Sequence, residues 1–310
     1  MAARGLINAI DSQKWLDRPA EAVQHAIHSA VQKAGPAGTK VANFLHGTWL
    51  RHPLHPALTD VPVGAWTAAA ALDIAAMAGD SETVDRCARG AITVGLAGAT
   101  GAALSGLMDW HLVRGRARRV GFTHALLNVG AVLLYGGSLV ARRRGATGVG
   151  RGLAFAGFGL AGFSAYLGGD LVYEQRLGVD HASGKRAPAD WTPVIADADL
   201  QDGRPTRVDA NGTPVLLLRR GERIYAIVET CTHLGGPLSD GKIEGEIVQC
   251  PWHGSRFSLA TGRVVDGPAV FDECCMETRV RDGWIEVRAA GSGEMQGRQQ
   301  GQPREMAGVA

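Results

Sequence analysis

Four apolar segments, each long enough to cross a bilayer, constrain this chain more than any other feature. They occupy residues 58–79, 91–108, 121–141 and 152–169. The first holds only Asp60 and Asp73 as charges, and the other three hold none. A hydrocarbon core of about 30 Å needs roughly 17–25 apolar residues per helix. Arginine clusters separate the segments, which argues against one buried soluble core. Gly98, Ala102 and Gly106 recur every four residues in the second segment, a spacing that lets helices approach closely in lipid. The expected architecture of residues 45–177 is therefore an all-α four-helix transmembrane bundle.

Residues 1–44 read as an amphipathic helical region. Ala22, Val23, Ala26, Ile27, Ala30 and Val31 fall at helical spacing and predict a helix over 19–33, ending near Gly35-Pro36. It has few bulky anchors, so a soluble helix is expected rather than one lying on a membrane surface. The opening MAARGLINAIDSQKWLD lacks a long apolar run and is not expected to be a secretory signal. An even number of spans puts the N-terminus, the second-to-third loop and the C-terminal region on one side. Nine Lys and Arg flank the spans there against six opposite, which favours that side as cytoplasmic. A net charge of +2 gives no preference for nucleic acid, and none is expected as a partner.

The composition changes after residue 177. A hydrophilic linker is expected at 178–190 and an all-β domain of small antiparallel sheets at 191–288. Strands are predicted at 214–219, 224–228, 247–250, 276–281 and 284–288, the last two joined by an Asp282-Gly283 turn. The Gly- and Gln-rich residues 289–310 read as a disordered tail. Five cysteines, two of them adjacent, do not make a disulfide framework. Cys274 and Cys275 read as packing residues at a strand edge.

Two loops in this region carry one Cys and one His each. Cys231 and His233 lie in the first, Cys250 and His253 in the second, with sixteen residues from Leu234 to Gln249 between the loops. A structural zinc finger usually groups its two Cys in one knuckle and its two His in another. A tetrahedral zinc site remains open to this pattern. A two-iron cluster explains it better, with both Cys on one iron and both His on the other. Gly235, Gly236, Pro237, Pro251 and Gly254 let the backbone turn tightly around such a core, and Pro268 could cover its edge.

The stretches "CTHLGGPLSDG", "CPWHGSRFSLATG" and "GPA" resemble the Rieske family, over about Trp191 to Arg288. The resemblance implies a [2Fe–2S] cluster at one tip of the domain. It assigns Cys231, His233, Cys250 and His253 as metal ligands and Ser255 as a hydrogen-bond donor to the cluster. High-potential members carry a disulfide where this chain has Gly236 and Trp252, and a Tyr where it has Phe257. A lower-potential, ferredoxin-like cluster in a reducing compartment follows. No further His comes after His253, so the mononuclear iron site of a Rieske oxygenase is not expected.

The stretches "HGTWLRHPLHPALTDVPVGAW", "SGLMDWH", "HALLN" and "GGDLVY" resemble a bacterial four-helix membrane family without an assigned function, over Leu45 to His181. His52, His55, His111 and His124 then fall near one membrane face, with His181, Asp60, Asp109 and Asp170. A polar pocket there could hold haem b between two His, or a quinone head group. The plainer alternative is that these side chains cap helices and bond loop backbone.

The chain is thus expected to be a multi-pass protein of the bacterial inner membrane. It would pass single electrons to or from a redox partner protein or quinone, with its Rieske domain in the cytoplasm and no substrate-level catalytic site. Two alternatives stand: a membrane-tethered ferredoxin for a soluble oxygenase or reductase, and a non-redox metal-bearing sensor.

Overall fold

The computed structural model describes residues 2–79 and 82–290. It divides into two compact units, residues 1–178 and 179–310. Of the tail expected at 289–310, the part beyond residue 290 lies outside the described residues.

The first unit is entirely helical. Its long helices are α4 (Leu54–Ala78), α5 (Glu82–Trp110), α6 (Gly115–Arg143) and α7 (Thr147–Tyr173), all long and apolar enough to cross a membrane. They outrun the apolar segments because their ends carry charge. Arg86 and Arg89 lie inside α5, and Arg116, Arg118 and Arg119 inside α6. Val63, Ile74, Met77, Val94, Leu104, Leu126, Val129, Leu133, Val149 and Phe158 all point outward. Water would penalise so much exposed apolar surface, whereas lipid would not.

Three shorter helices precede the bundle: α1 (Ala2–Ser12), α2 (Asp17–Lys33) and α3 (Gly35–His46). The sequence signals only the second, and Gly35-Pro36 starts another helix as well as ending it. Ile7 of α1 is buried with Val120 and Leu167. Asp17 pairs with Arg118 and Arg119, and Gln24 donates to the carbonyls of Trp110 and Val113. His46 is buried, with Nδ1 2.7 Å from Asp109 Oδ1. These contacts fasten α1–α3 to one end of the bundle.

Within the bundle, α4 packs mainly on α5 and α6 mainly on α7, so the unit is two helical hairpins side by side. The second-rank contacts are α5 on α6 and α4 on α7, which leaves α4 and α6 facing each other across the centre. The hairpins repeat one pattern. A constant step of 69 residues carries His55, Trp66 and Asp73 of α4 onto His124, Tyr135 and Arg142 of α6. A step of 62 carries the buried Ala88, Ile92, Gly95, Ala102, Ser105 and Met108 of α5 onto the buried Gly150, Ala154, Gly157, Ser164, Leu167 and Asp170 of α7.

Each matched pair of α4 and α6 meets at the centre. The His55 and His124 ring centroids are 6.4 Å apart. Trp66 stacks on Tyr135 at 4.3 Å. Asp73 accepts from Arg142 at 2.5 Å, with both side chains fully buried. At 1.5 Å per residue, the imidazole pair and the ion pair lie about 27 Å apart along the axis. That is close to a bilayer core, so the apolar middle of the bundle is closed at both ends by polar pairs.

The second unit is antiparallel β. A six-stranded sheet has the order β1-β10-β9-β4-β3-β2, and a four-stranded sheet the order β5-β6-β7-β8. The strands are β1 (Thr192–Ala196), β2 (Thr206–Ala210), β3 (Thr213–Arg220), β4 (Arg223–Val228), β5 (Lys242–Glu244), β6 (Ile247–Gln249), β7 (Arg256–Ser258), β8 (Val264–Asp266), β9 (Cys275–Arg281) and β10 (Trp284–Ala289). All five predicted strands are present, at β3, β4, β6, β9 and β10. The run Val215-Leu216-Leu217-Leu218 is apolar throughout because both faces of β3 are buried. Leu216 and Leu218 join Tyr225, Ile227, Val248 and Phe257 in one core, and Val215 and Leu217 join Val228, Ile285 and Val287 in another.

The residues read as a linker pack against this unit instead. Ala182 is buried in the second core, His181 N–H donates to Thr232 O, and the Arg186 carbonyl accepts from Thr213 Oγ1.

Candidate metal centre

Two turns of the same construction carry the Cys and His residues. In the first, after β4, Cys231 N–H donates to Gly236 O at 2.9 Å and Gly235 N–H donates to Cys231 O at 2.8 Å. In the second, after β6, Cys250 N–H donates to Ser255 O at 2.8 Å and Gly254 N–H donates to Cys250 O at 3.1 Å. Gly235 and Gly254 take φ of +78° and +79°, a conformation that costs other residues a steric clash. Gly236 serves a different need. A Cβ there would fall 2.9 Å from Cys250 Sγ and 3.0 Å from the Trp252 ring.

The turns bring like donors together. Cys231 and Cys250 are both buried, and their thiols share a hydrogen bond. His233 and His253 are half-buried, with rings edge to face and centroids 5.0 Å apart. Trp252, 55% exposed, stands beside His253 at 6.4 Å. The donor set is therefore polarised, with sulfur inside and imidazole outside.

Main-chain amides supply positive charge at the sulfurs. The His233 N–H points at Cys231, and those of Trp252 and His253 point at Cys250. Cys250 is lowered to about 7, first by the hydrogen bond from the Cys231 thiol and then by these amides, against burial. Cys231 is raised because it keeps the shared proton and is buried. One readily formed thiolate beside a second thiol suits metal attachment, which removes both protons.

Further contacts hold the turns in place. Ser255 Oγ accepts from Ala269 N–H at 3.0 Å, which leaves its own hydroxyl proton to donate elsewhere. Phe257 is wholly buried in the core beneath. Glu273 has no signature in the sequence and is a structural finding. Its Oε1 accepts the Thr232 N–H at 2.8 Å, between Cys231 and His233, while Oε2 is buried without a partner. Burial pushes this carboxyl well above the usual carboxylate range. Thr232 also donates from Oγ1 to Phe271 O, so the first turn is fixed to the chain entering β9.

In the helical unit the four histidines of the expected pocket do not converge. His52 is exposed, with Nδ1 3.2 Å from Pro53 O. His111 lies 2.6 Å from Met108 O, near His28 and His46. His55 and His124 do meet. Asp109 is taken by His46, Asp170 accepts from Gln175, and Asp60 is exposed.

The Rieske [2Fe-2S] domain family model matches residues 190–275, and that of the "Predicted membrane protein (DUF2231)" family matches residues 51–181. Ferredoxin CarAc of Metapseudomonas resinovorans is 36% identical over 98 residues, covering 31% of this chain and 92% of its own. The chain belongs to the Rieske family. Its Rieske domain is a ferredoxin-like electron-transfer domain whose cofactor is a [2Fe–2S] cluster, and its helical part is similar to the membrane-protein family over residues 51–181. The ferredoxin component of the naphthalene 1,2-dioxygenase system of Pseudomonas putida is 33% identical over 78 residues, covering 25% of this chain and 75% of its own. The solved ferredoxin of carbazole 1,9a-dioxygenase from Nocardioides aromaticivorans is 29% identical, with a TM-score of 0.31, covering 33% of this chain and all of its own.

Proposed function

We propose that this chain is a membrane-anchored one-electron carrier that exchanges electrons with a redox protein at the histidine end of its Rieske domain. The observation that carries this reading is the pair of twin turns, which set Cys231 with Cys250 inside and His233 with His253 outside. Cys231 and Cys250 would hold the inner iron, and His233 and His253 the outer one. When bound, the cluster supplies a one-electron couple. The chain's own part is to neutralise sulfur charge with amides, to shield the sulfurs in the core, and to present imidazole and the exposed Trp252 to a partner. Ser255 adds a hydroxyl donor at the cluster. Zinc is disfavoured because the donors separate into a buried sulfur pair and an outer imidazole pair instead of mixing around one point.

Two relatives are by name ferredoxins, one of them a component of a dioxygenase system. The same role here gives an oxygenase or reductase as partner. The arginine balance favours the cytoplasmic side of a bacterial inner membrane. The meeting of His55 with His124 favours a second redox group in the helical unit over a passive anchor.

Iron, acid-labile sulfide and the reduced EPR spectrum of the full chain in detergent test this. About two irons and two sulfides per chain are expected, with a Rieske-type signal that disappears in Cys250→Ser and His253→Ala. Zinc without sulfide, or an unaltered signal in either variant, would overturn it.

A further inference from the structure

We infer that His55 and His124 are the two axial ligands of a haem lying across the pseudo-two-fold axis that relates the helical hairpins. This deepens the reading of the helical unit as more than an anchor, and it chooses haem over quinone.

The two imidazoles are seated alike, with Ser164 Oγ as an added neighbour 2.9 Å from His124 Nδ1. His55 Nδ1 lies 2.7 Å from Ala102 O, and His124 Nδ1 lies 2.8 Å from Ser164 O. Ala102 and Ser164 are matched positions of α5 and α7. Four residues further on, each ring rests against a matched glycine. A Cβ at Gly106 would fall 2.7 Å from the His55 ring, and one at Gly168 would fall 3.2 Å from the His124 ring. A single histidine bonded to a carbonyl is ordinary helix packing. The same carbonyl, glycine and ring arrangement kept in both hairpins, with the rings meeting at the centre, is a built site.

The seating also fixes the chemistry. A carbonyl can only accept, so Nδ1 carries the proton in both rings and the lone pair lies on Nε2. Metal-bound histidines adopt this tautomer, with the far nitrogen tied to a carbonyl. A quinone carbonyl needs a donor, which neither imidazole Nε2 supplies. Asn128 Nδ2 stands 3.1 Å from His124 Nε2, so that nitrogen already serves as an acceptor. Asn128 lies one turn along the same helix, and rotation of its side chain frees the lone pair for a metal.

Distance and coordination number then point to haem. Two imidazoles on opposite sides of one metal, with bonds of about 2 Å, place their ring centres roughly 6 Å apart. The observed centroids are 6.4 Å apart, with planes at 88°. Among the described residues no third His, Cys, Asp or Glu completes a cage for a bare ion. Haem iron brings four porphyrin nitrogens and needs only two more ligands. The ligands come from α4 and α6, which face each other across the bundle, a placement used for cofactors held in bundle cores.

The test is the absorption spectrum of the full chain in detergent, made with haem available, followed by titration of haem-free protein with hemin. We expect about one hemin per chain and a low-spin, six-coordinate Soret spectrum. His55→Ala and His124→Ala should each abolish that spectrum, whereas His52→Ala and His111→Ala should keep it. His55→Met and His124→Met should retain bound haem with a shifted band, because Met still ligates iron. The cluster signal in the same samples reports folding and separately tests the electron-carrier reading. No hemin uptake by cluster-loaded protein, or an unchanged Soret in His55→Ala and His124→Ala, would overturn the haem site.

Discussion

Arg142 offers a quantitative test of how the bundle is held together. Its side chain is fully buried, 2.5 Å from Asp73 and 2.7 Å from Asp85. It belongs to the second hairpin, and both carboxylates belong to the first. Arg142→Met removes the cation and leaves Asp73 buried, with Arg151 at 3.9 Å. Breaking a buried pair from one side costs about 3–5 kcal/mol. Asp73→Leu should cost less, about 1–3 kcal/mol, because Arg142 keeps Asp85 and no carboxylate is stranded. The double variant should lie within about 1–2 kcal/mol of the native protein, since an apolar pair of similar volume replaces the ion pair. The coupling between the two sites would then be on the order of 3 kcal/mol. Unfolding in mixed micelles of mild detergent and SDS, followed by helical circular dichroism, measures all four proteins. Additive single effects, with the double variant the least stable, would refute the claim that this pair joins the hairpins.

The remaining predictions concern the Rieske domain. Gly236→Ala should cost about 1–3 kcal/mol and lower iron occupancy, because its Cβ meets Cys250 Sγ at 2.9 Å; Gly184→Ala, with open space around it, is the neutral control in iron assays and thermal melts. Ser255→Ala should lower the reduction potential while cluster content stays constant, as protein-film voltammetry would show. Glu273 has a folded-state pKa raised by burial, so its contribution to stability is present below its unfolded pKa and lost as pH rises toward the folded one. Glu273→Gln keeps an acceptor for Thr232 N–H without titrating, so it should gain on the native protein above about pH 4.3, by up to about 1.4 kcal/mol per pH unit. Parallel stability curves from pH 4 to 8 would contradict this.

Legibility followed the reach of the interactions. The four spans are written in composition, which lipid reads locally, and the helix ends were misplaced because interfacial charges such as Arg86 and Arg118 continue the helix. The Cys and His turns are short enough to be seen whole. Strands β3, β4, β9 and β10 show clear patterns; among the three-residue strands β6 is signalled by Ile247 and Val248, whereas β5, β7 and β8 carry too little pattern to detect. Glu273 was invisible because its partner, Thr232, is 41 residues away. His46 was missed in the same way, since Asp109 lies 63 residues on. The hairpin repeat was hidden because its step changes from 69 to 62 and because its matched residues differ in kind. Trp answers Tyr and Asp answers Arg, while His55 with His124, Gly95 with Gly157 and Gly106 with Gly168 keep their kind.

That division of charge between hairpins bears on how the chain enters a membrane. Ribosomes deliver α4 and α5 before α6, so the first hairpin reaches lipid with Asp73 and Asp85 but without Arg142. A half-inserted chain thus holds Asp73 without Arg142, while Asp85 has Arg89 of its own helix, and the last turn of α6 completes the pair. Arg142 is the residue whose arrival joins the second hairpin to the first. Chains halted before residue 142 should stay with the insertion machinery or be cleared by proteases, and chains that pass it should be released.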